Sequence, residues 1–342
     1  MTPLLAWSHD SILGSRSGYH VLADYLPQLE RVVEPRRDPD DRLQRILTKV
    51  LRRFSFSRWC AGGSFQMERK VLLRVKAGFK GPVHLPWCDR DLGFLDFKLS
   101  GEKNPLIGTF HQCPRDLLTA IRRRSSLKKF AAVIVMSETQ RPYFRDSGVP
   151  DGRIHRILHG VDTDYFRPET HEVPENFVVL AVGGTRRDFP LLREVAVAMR
   201  DTRAIRFEIA GPADKKALFT GLPNVLFHDH LSDKVLLEKY RNASCLLHLA
   251  EEATANNVLL EAMACGLPVI TQHVGGIPEY VNETCAVTCP PADSGAVVAA
   301  LRSLCASPSR QSEMRHAARS HALSLDWRIV AGHTMQLYQS LN

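Results

Sequence analysis

Several absences narrow the field before any motif is considered. No two cysteines have CxxC spacing: the eight stand at 60, 88, 113, 245, 265, 285, 289 and 305. A disulfide framework or a zinc-binding set is therefore not expected. Cys285 and Cys289 lie close in sequence, but no second cluster completes a tetrahedral site, so no metal is expected. No apolar run approaches the roughly 18 residues that span a bilayer. The opening, MTPLLAWSHD, lacks the basic and apolar regions of a signal peptide. These absences together lead to the expectation of a cytoplasmic protein, at most peripheral at the inner face of a membrane. Internal repeats and low-complexity tracts are also missing, and long disorder is not expected.

What is present is ordinary in bulk. The chain has 342 residues, 44% of them hydrophobic and 24% charged, enough for two globular domains. The net charge of +8 is unevenly spread. Residues 36–80 carry thirteen Lys or Arg against four Asp or Glu, with Phe54, Phe56, Trp59 and Phe65 interleaved. Such a stretch reads either as a solvated helix face over an ordinary core or as a contact for an anionic membrane. Nucleic acid is not expected as a partner, because charge alone would support it and no recognised motif does.

Short apolar runs alternate with amphipathic segments, the pattern of parallel sheets with crossover helices. In the first half, strands are predicted at Leu4–Trp7, Val83–Pro86, Leu106–Thr109, Val133–Met136 and Ile154–Leu158, with helices over Asp40–Arg53 and Arg115–Lys129. The segment RPETHEVPEN, 167–176, has two prolines and no apolar periodicity and reads as a linker. A second series follows: Phe177–Val182, Arg206–Ala210, Val225–Phe227, Cys245–Leu249, Pro268–Thr271 and Ala286–Thr288. From Ser309 the tail reads as largely helical. The expected fold class is α/β, two doubly wound Rossmann-like domains facing a central cleft. In such sheets ligands gather beyond the carboxyl ends of the strands.

The most informative stretch is EEATANNVLLEAMACGLPVITQHVGGIPEY, 251–280. A strand ends near Leu249, a polar loop follows, and a helix is predicted from about Asn257 to Ala264, stopped at Gly266. Free N–H groups and the helix dipole at that amino terminus suit a diphosphate. Glu261 stands one turn further on, within reach of a ribose hydroxyl. A Glu in such a helix is ordinarily solvent-facing, and Gly275-Gly276 is ordinarily just a turn, so the ordered combination carries more information than either.

That combination resembles the donor-binding segment of the retaining GT-B glycosyltransferases of the family 4 or group 1 type. AAVIVMSETQRPYFRDSGVPDGRIHRILHGVDTDYFRP, FEIAGP, NVLFHDHLSDKVLLEKYRNASCLLHLA and LDWRIVAGHTMQLYQSL are similar to other parts of it. The likeness covers most of 105–342 and is weaker before 105. It implies an acceptor-side domain over 1–168, a donor domain over 176–323, and a helix over 324–342 returning to the first. It also implies roles. Glu261 would hold the donor ribose, and amides at Asn257, Val258 and Leu259 the diphosphate. The loop His228–Leu231, with His230 and Leu231, would border the base. In VGGTRRDFP, Gly184 would be donor-binding, and Arg187, which best matches the family's Lys, would clamp phosphate with Arg186 beside it. His111 of GTFHQCP would lie near the transferred sugar. Gly18, in the loop Ser15–His20, would let backbone approach the donor phosphate or acceptor.

One position departs from the family pattern. The Glu expected eight residues before Glu261 is Ala253, with Glu251 and Glu252 adjacent; Glu252 is the candidate to take its place. The nearest thing to a metal-binding DxD triplet, Asp89–Asp91, follows a first-domain strand and reads as an acceptor-loop feature. The resemblance therefore implies a metal-independent, retaining hexosyl transfer from a UDP- or GDP-linked sugar, with no further cofactor. The acceptor would be a glycan, a lipid-linked compound or a small molecule. Two alternatives share the fold: a nucleotide-sugar epimerase, and a catalytically silent relative that binds nucleotide sugar.

Overall fold

A computed structural model describes residues 2–9, 16–38, 40–99, 103–169, 176–229 and 231–341. Of the sequence-based expectations, His230, Ser15 and most of the linker, 170–175, lie outside these residues. The chain divides into two compact units, Met1–His159 with Trp327–Asn342, and Gly160–Asp326.

Unit one is built on a parallel sheet of six strands: β1 Leu4–His9, β2 Glu30–Pro35, β3 Val83–Leu85, β4 Leu106–Phe110, β5 Ala132–Val135 and β6 Ile154–Arg156, in the order β2-β1-β3-β4-β5-β6. Unit two holds a second parallel six-stranded sheet: β7 Phe177–Val182, β8 Ile205–Ala210, β9 Val225–His228, β10 Cys245–His248, β11 Val269–Gln272 and β12 Ala286–Cys289. Its order, β12-β11-β10-β7-β8-β9, is doubly wound about β7. The central strands β4, β5 and β10 are buried along their whole length. They are covered on both faces, as parallel sheets require, so their sequences read as continuous apolar runs. The direction of winding reverses between β1 and β3 in unit one and between β7 and β10 in unit two. At such points adjacent loops diverge and leave room for a ligand.

Eleven strands fall where short apolar runs predict them, within a residue or two. The twelfth, β2, has no such run. It is an edge strand with one partner, β1, and buries just Val32 and Glu34 along ERVVEP. The expected helix Arg115–Lys129 is broken. A helix Pro114–Ala120 stops where the backbone turns to pair elsewhere: Ile121 bridges Ser57, Arg58 N donates to Ala120 O at 2.8 Å, and Arg122 N donates to Phe56 O at 2.8 Å. Residues Arg124–Lys129 form a 3-10 turn. The tail is two helices, Pro308–Leu323 and Trp327–Ser340, separated where Val161 N donates to Leu325 O at 3.0 Å.

The helix Trp327–Ser340 is bound into unit one by polar contacts as well as apolar ones. His84, fully buried in β3, joins Tyr338 OH at 2.6 Å through Nδ1 and Thr109 Oγ1 at 2.7 Å through Nε2. Trp327 packs edge-on to Tyr19 at 5.5 Å and beside His159 at 4.9 Å.

Burial lowers His84 from the ordinary imidazole value to about 3. As pH falls below 6.5, the unfolded chain takes up a proton that the folded chain refuses, at about 1.4 kcal/mol per pH unit. Stability measured by denaturant between pH 6 and 4 is expected to fall less steeply in His84→Gln than in the wild type, by about that slope. Equal slopes would mean that His84 is protonated in the fold.

Candidate functional site

In unit two the carboxyl ends of β7 and β10 are laced together. The loop after β7 contains Gly183 with φ +101 and Arg186 with φ +53. A non-glycine residue in the left-handed region carries strain of roughly 1–3 kcal/mol. Glu251 N helps to hold it there by donating to Arg186 O at 3.0 Å. Arg187 and Ala250 form a bridge, and Asp188 N donates to Leu249 O at 3.2 Å. Gly184 lies against Pro212, whose Cγ would stand 2.5 Å from any added Cβ.

The helix Asn257–Ala264 begins in this lattice. Asn256 caps it, its Oδ1 accepting from Leu259 N at 3.3 Å. The same oxygen accepts from Arg187 Nη2 at 3.2 Å, and Arg187 Nε donates to Val182 O at 2.9 Å. Burial lowers the Arg187 guanidinium to about 10, so it keeps its charge at neutral pH. A cation thus sits against the amino terminus of the helix, where the first N–H groups have no partner within the helix. The Leu259 N–H, one of the amides expected at the diphosphate, is bonded to the cap, and the Leu259 side chain is fully buried. The amides of Asn257 and Val258 remain at the helix end. The carboxyl end is closed by Gly266, φ +73, and by Arg319, whose Nη1 donates to Ala264 O at 2.8 Å.

Glu261 is not solvent-facing. It is 5% exposed, and its Oε2 accepts from the buried Tyr240 OH at 2.9 Å. Tyr240 comes from the helix Asp233–Asn242, and nothing in the sequence near Glu261 signals it. Glu252 is half-buried in the loop before the cap. That loop is seated on Gly275-Gly276: Gly276 N donates to Ala253 O at 2.7 Å, and Gly275 has φ +51. Leu231, half-buried, follows β9 and precedes the cap Ser232.

In unit one, His111 follows β4. Its ring stacks on Trp87 with centroids 4.0 Å apart, and Nε2 donates to Pro86 O at 2.6 Å. Burial holds the ring at about 3, so it is neutral. Asp89 Oδ2 accepts from His111 N at 2.8 Å and Gln112 N at 2.9 Å, fixing the turn after β4. Gly18, φ +98, turns the chain into a 3-10 helix, Tyr19–Tyr25, and Tyr19 packs edge-on to His111 at 5.0 Å. Asp91 belongs to a separate buried cluster. It accepts from Ser8 N at 2.8 Å and Arg36 Nη1 at 2.9 Å, a structural ion pair that sequence spacing does not announce.

The seat of the 251–256 loop is open to test. A Cβ at Gly275 would lie 2.2 Å from Ala253 O, on a backbone that disfavours side chains. Gly275→Ala is expected to lower unfolding free energy by about 1–3 kcal/mol or more. Gly152→Ala, with open space around it, is expected to change it by less than about 0.5 kcal/mol. Equal denaturation midpoints would show that the loop does not depend on this seat.

Residues 176–307 match the family model for glycosyl transferases group 1, and residues 83–165 that for glycosyltransferase family 4. Sulfoquinovosyl transferase of Arabidopsis thaliana is 31% identical over 187 residues, 49% of this chain but just 36% of that protein's own length. The MMP alpha-(1->4)-mannosyltransferase of Mycolicibacterium hassiacum is 27% identical over 355 residues, 92% of this chain and 84% of the relative. Sucrose-phosphate synthase from Thermosynechococcus elongatus superposes with a TM-score of 0.76 at 20% identity, covering 100% of this chain and 99% of the other. Anabaena HepE in complex with UDP-glucose superposes at 0.69 with 15% identity, over 99% and 100%. At such identities the two structures speak for the fold, two parallel-sheet units of GT-B type. With both family models matched in sequence order on that fold, the chain belongs to the GT-B glycosyltransferases of the family 4 and group 1 type.

Proposed function

We propose that this chain transfers a hexosyl group from a UDP- or GDP-linked donor to a hydroxyl acceptor, with retention of configuration and without a metal ion. The observation that carries the reading is the Asn256-capped helix end with Arg187 against it, at the point where unit two reverses its winding. The Asn257 and Val258 amides and the two arginines would meet the charge that gathers on the departing diphosphate. Preorganised donors of this kind lower the barrier because they need no reorientation as charge develops. The acceptor oxygen would form its bond to the anomeric carbon on the face from which the diphosphate leaves. The acceptor proton would pass to the leaving phosphate oxygen.

Glu261 would hold the ribose, oriented by Tyr240. His111 would act by position on the acceptor side; a neutral imidazole locked onto Pro86 O is no proton donor near neutral pH. The UDP-glucose of HepE supports a nucleotide-sugar donor. Ala253 favours a second reading, a relative that binds nucleotide sugar without turning it over.

Calorimetric titration of UDP and GDP into the wild type and Glu261→Gln separates these readings. One nucleotide is expected to bind, and the variant is expected to bind it at least about tenfold more weakly, roughly 1.4 kcal/mol. Binding without nucleotide release from any sugar donor would establish the silent reading. Binding of neither nucleotide would remove the donor-site assignment. Arg187→Ala is expected to lower kcat for donor hydrolysis or transfer by about 100-fold or more, as when an oxyanion donor is lost.

A further inference from the structure

The helix Arg42–Phe54 in unit one is turned inside out. Thr48 is its one buried residue, while Leu43, Ile46, Leu47, Val50 and Phe54 are 51–75% exposed. Leu43, Leu47, Val50 and Phe54 follow at intervals of four, three and four, which places them on one face of a helix. An amphipathic helix normally buries that face. Here no element of the described chain covers it.

Within the helix itself the charges are of one sign, the acidic Asp40 and Asp41 standing just before its first residue. The helix has no acidic residue and carries Arg42, Arg45, Lys49, Arg52 and Arg53. Arg52 is committed to Asp38 at 2.8 Å. On the helix wheel Arg42, Lys49 and Arg53 border the apolar stripe. The fold adds cations from elsewhere at the Phe54 end. Arg58 and Arg122 are exposed, and Arg58 N is bonded to Ala120 O beside them. Partial desolvation, and then the charges of Arg58, Arg53 and Arg123, lower the Arg122 guanidinium below its ordinary value, so these groups crowd one another. Arg123 donates to Phe54 O and lies 4.3 Å over the ring of exposed Phe97. Apolar side chains and uncompensated cations thus form one continuous surface.

We propose that the helix Arg42–Phe54 is a membrane-surface anchor: its apolar face enters the headgroup region of an anionic bilayer, and Arg53, Arg58 and Arg122 bind lipid phosphates. A second copy of the chain fits less well, because a two-fold contact would set this cation cluster against like charge. Nucleic acid would satisfy the cations but leave five apolar side chains in water. A bilayer interface satisfies both. The inference does not depend on the transfer reaction.

The test is co-sedimentation of the full chain at low salt with vesicles of phosphatidylglycerol and phosphatidylcholine, against phosphatidylcholine alone. The wild type is expected to bind the anionic vesicles at least tenfold better, and to be released by raised salt. Leu47→Ser with Val50→Ser, and separately Arg53→Gln with Arg58→Gln and Arg122→Gln, are each expected to lose at least tenfold in binding. Their melting temperatures should stay at the wild-type value, since every changed side chain is exposed. The proposal is overturned if the wild type ignores anionic vesicles, or if both variants bind as it does. It is also overturned if the chain dimerises and the apolar double variant is monomeric. Should one variant fail to fold, the other decides.

Discussion

A parallel sheet cannot be closed by hairpins, and that constraint governs the rest of this molecule. Each strand must be followed by a crossover before the next can run in the same direction. All carboxyl ends then lie along one edge, and so do the loops that leave them. In unit two this brings the loops after β7 and β10 side by side, although more than sixty residues separate Arg187 from Asn256 in sequence. The same rule places Gly18, Trp87 and His111 together in unit one, through Tyr19 and a stacked indole.

Once the loops are adjacent, backbone hydrogen bonding decides their shape. A buried loop must pair its own N–H and C=O groups. Here the pairing runs from one loop to its neighbour: Glu251 N to Arg186 O, Asp188 N to Leu249 O, Gly276 N to Ala253 O. Two of the left-handed positions, Arg186 and Gly275, stand at or beside these bonds. Side chains complete the lattice. Asn256 serves both the helix cap and Arg187, and Tyr240 holds the carboxylate of Glu261. A helix terminus held by its own neighbours keeps its geometry when a charged ligand arrives, which is the property an anion site needs.

Buried polar groups also bind the last helix to the first unit. Tyr338, His84 and Thr109 form a chain from helix to sheet with both imidazole nitrogens engaged. Removing one member would leave the others unpaired in a dry interior, costing on the order of 1–3 kcal/mol. The outward face of Arg42–Phe54 follows the opposite logic. Among the described residues its apolar groups have no partner, and a face of that kind points to something outside the chain.

The strands were legible because a parallel sheet buries both faces, so β4, β5 and β10 spell themselves as apolar runs. The β2 edge, half in water, spells nothing. The site helix was legible for a related reason: its start, Glu261 and its stop at Gly266 lie within ten residues and are set by local chemistry. The break after Ala120 was not legible, because the competing partner is a segment near Phe56 about sixty residues earlier. Nor were the burial of Glu261 against Tyr240 or the capture of the Leu259 amide by Asn256. The sequence by itself determined the fold class and the family, since these rest on periodicity and on short motifs. Only the tertiary structure decided which amides face outward, which carboxylate is held by a tyrosine and which helix face stays bare. Those outcomes depend on contacts between residues far apart in the chain, and no local pattern encodes them.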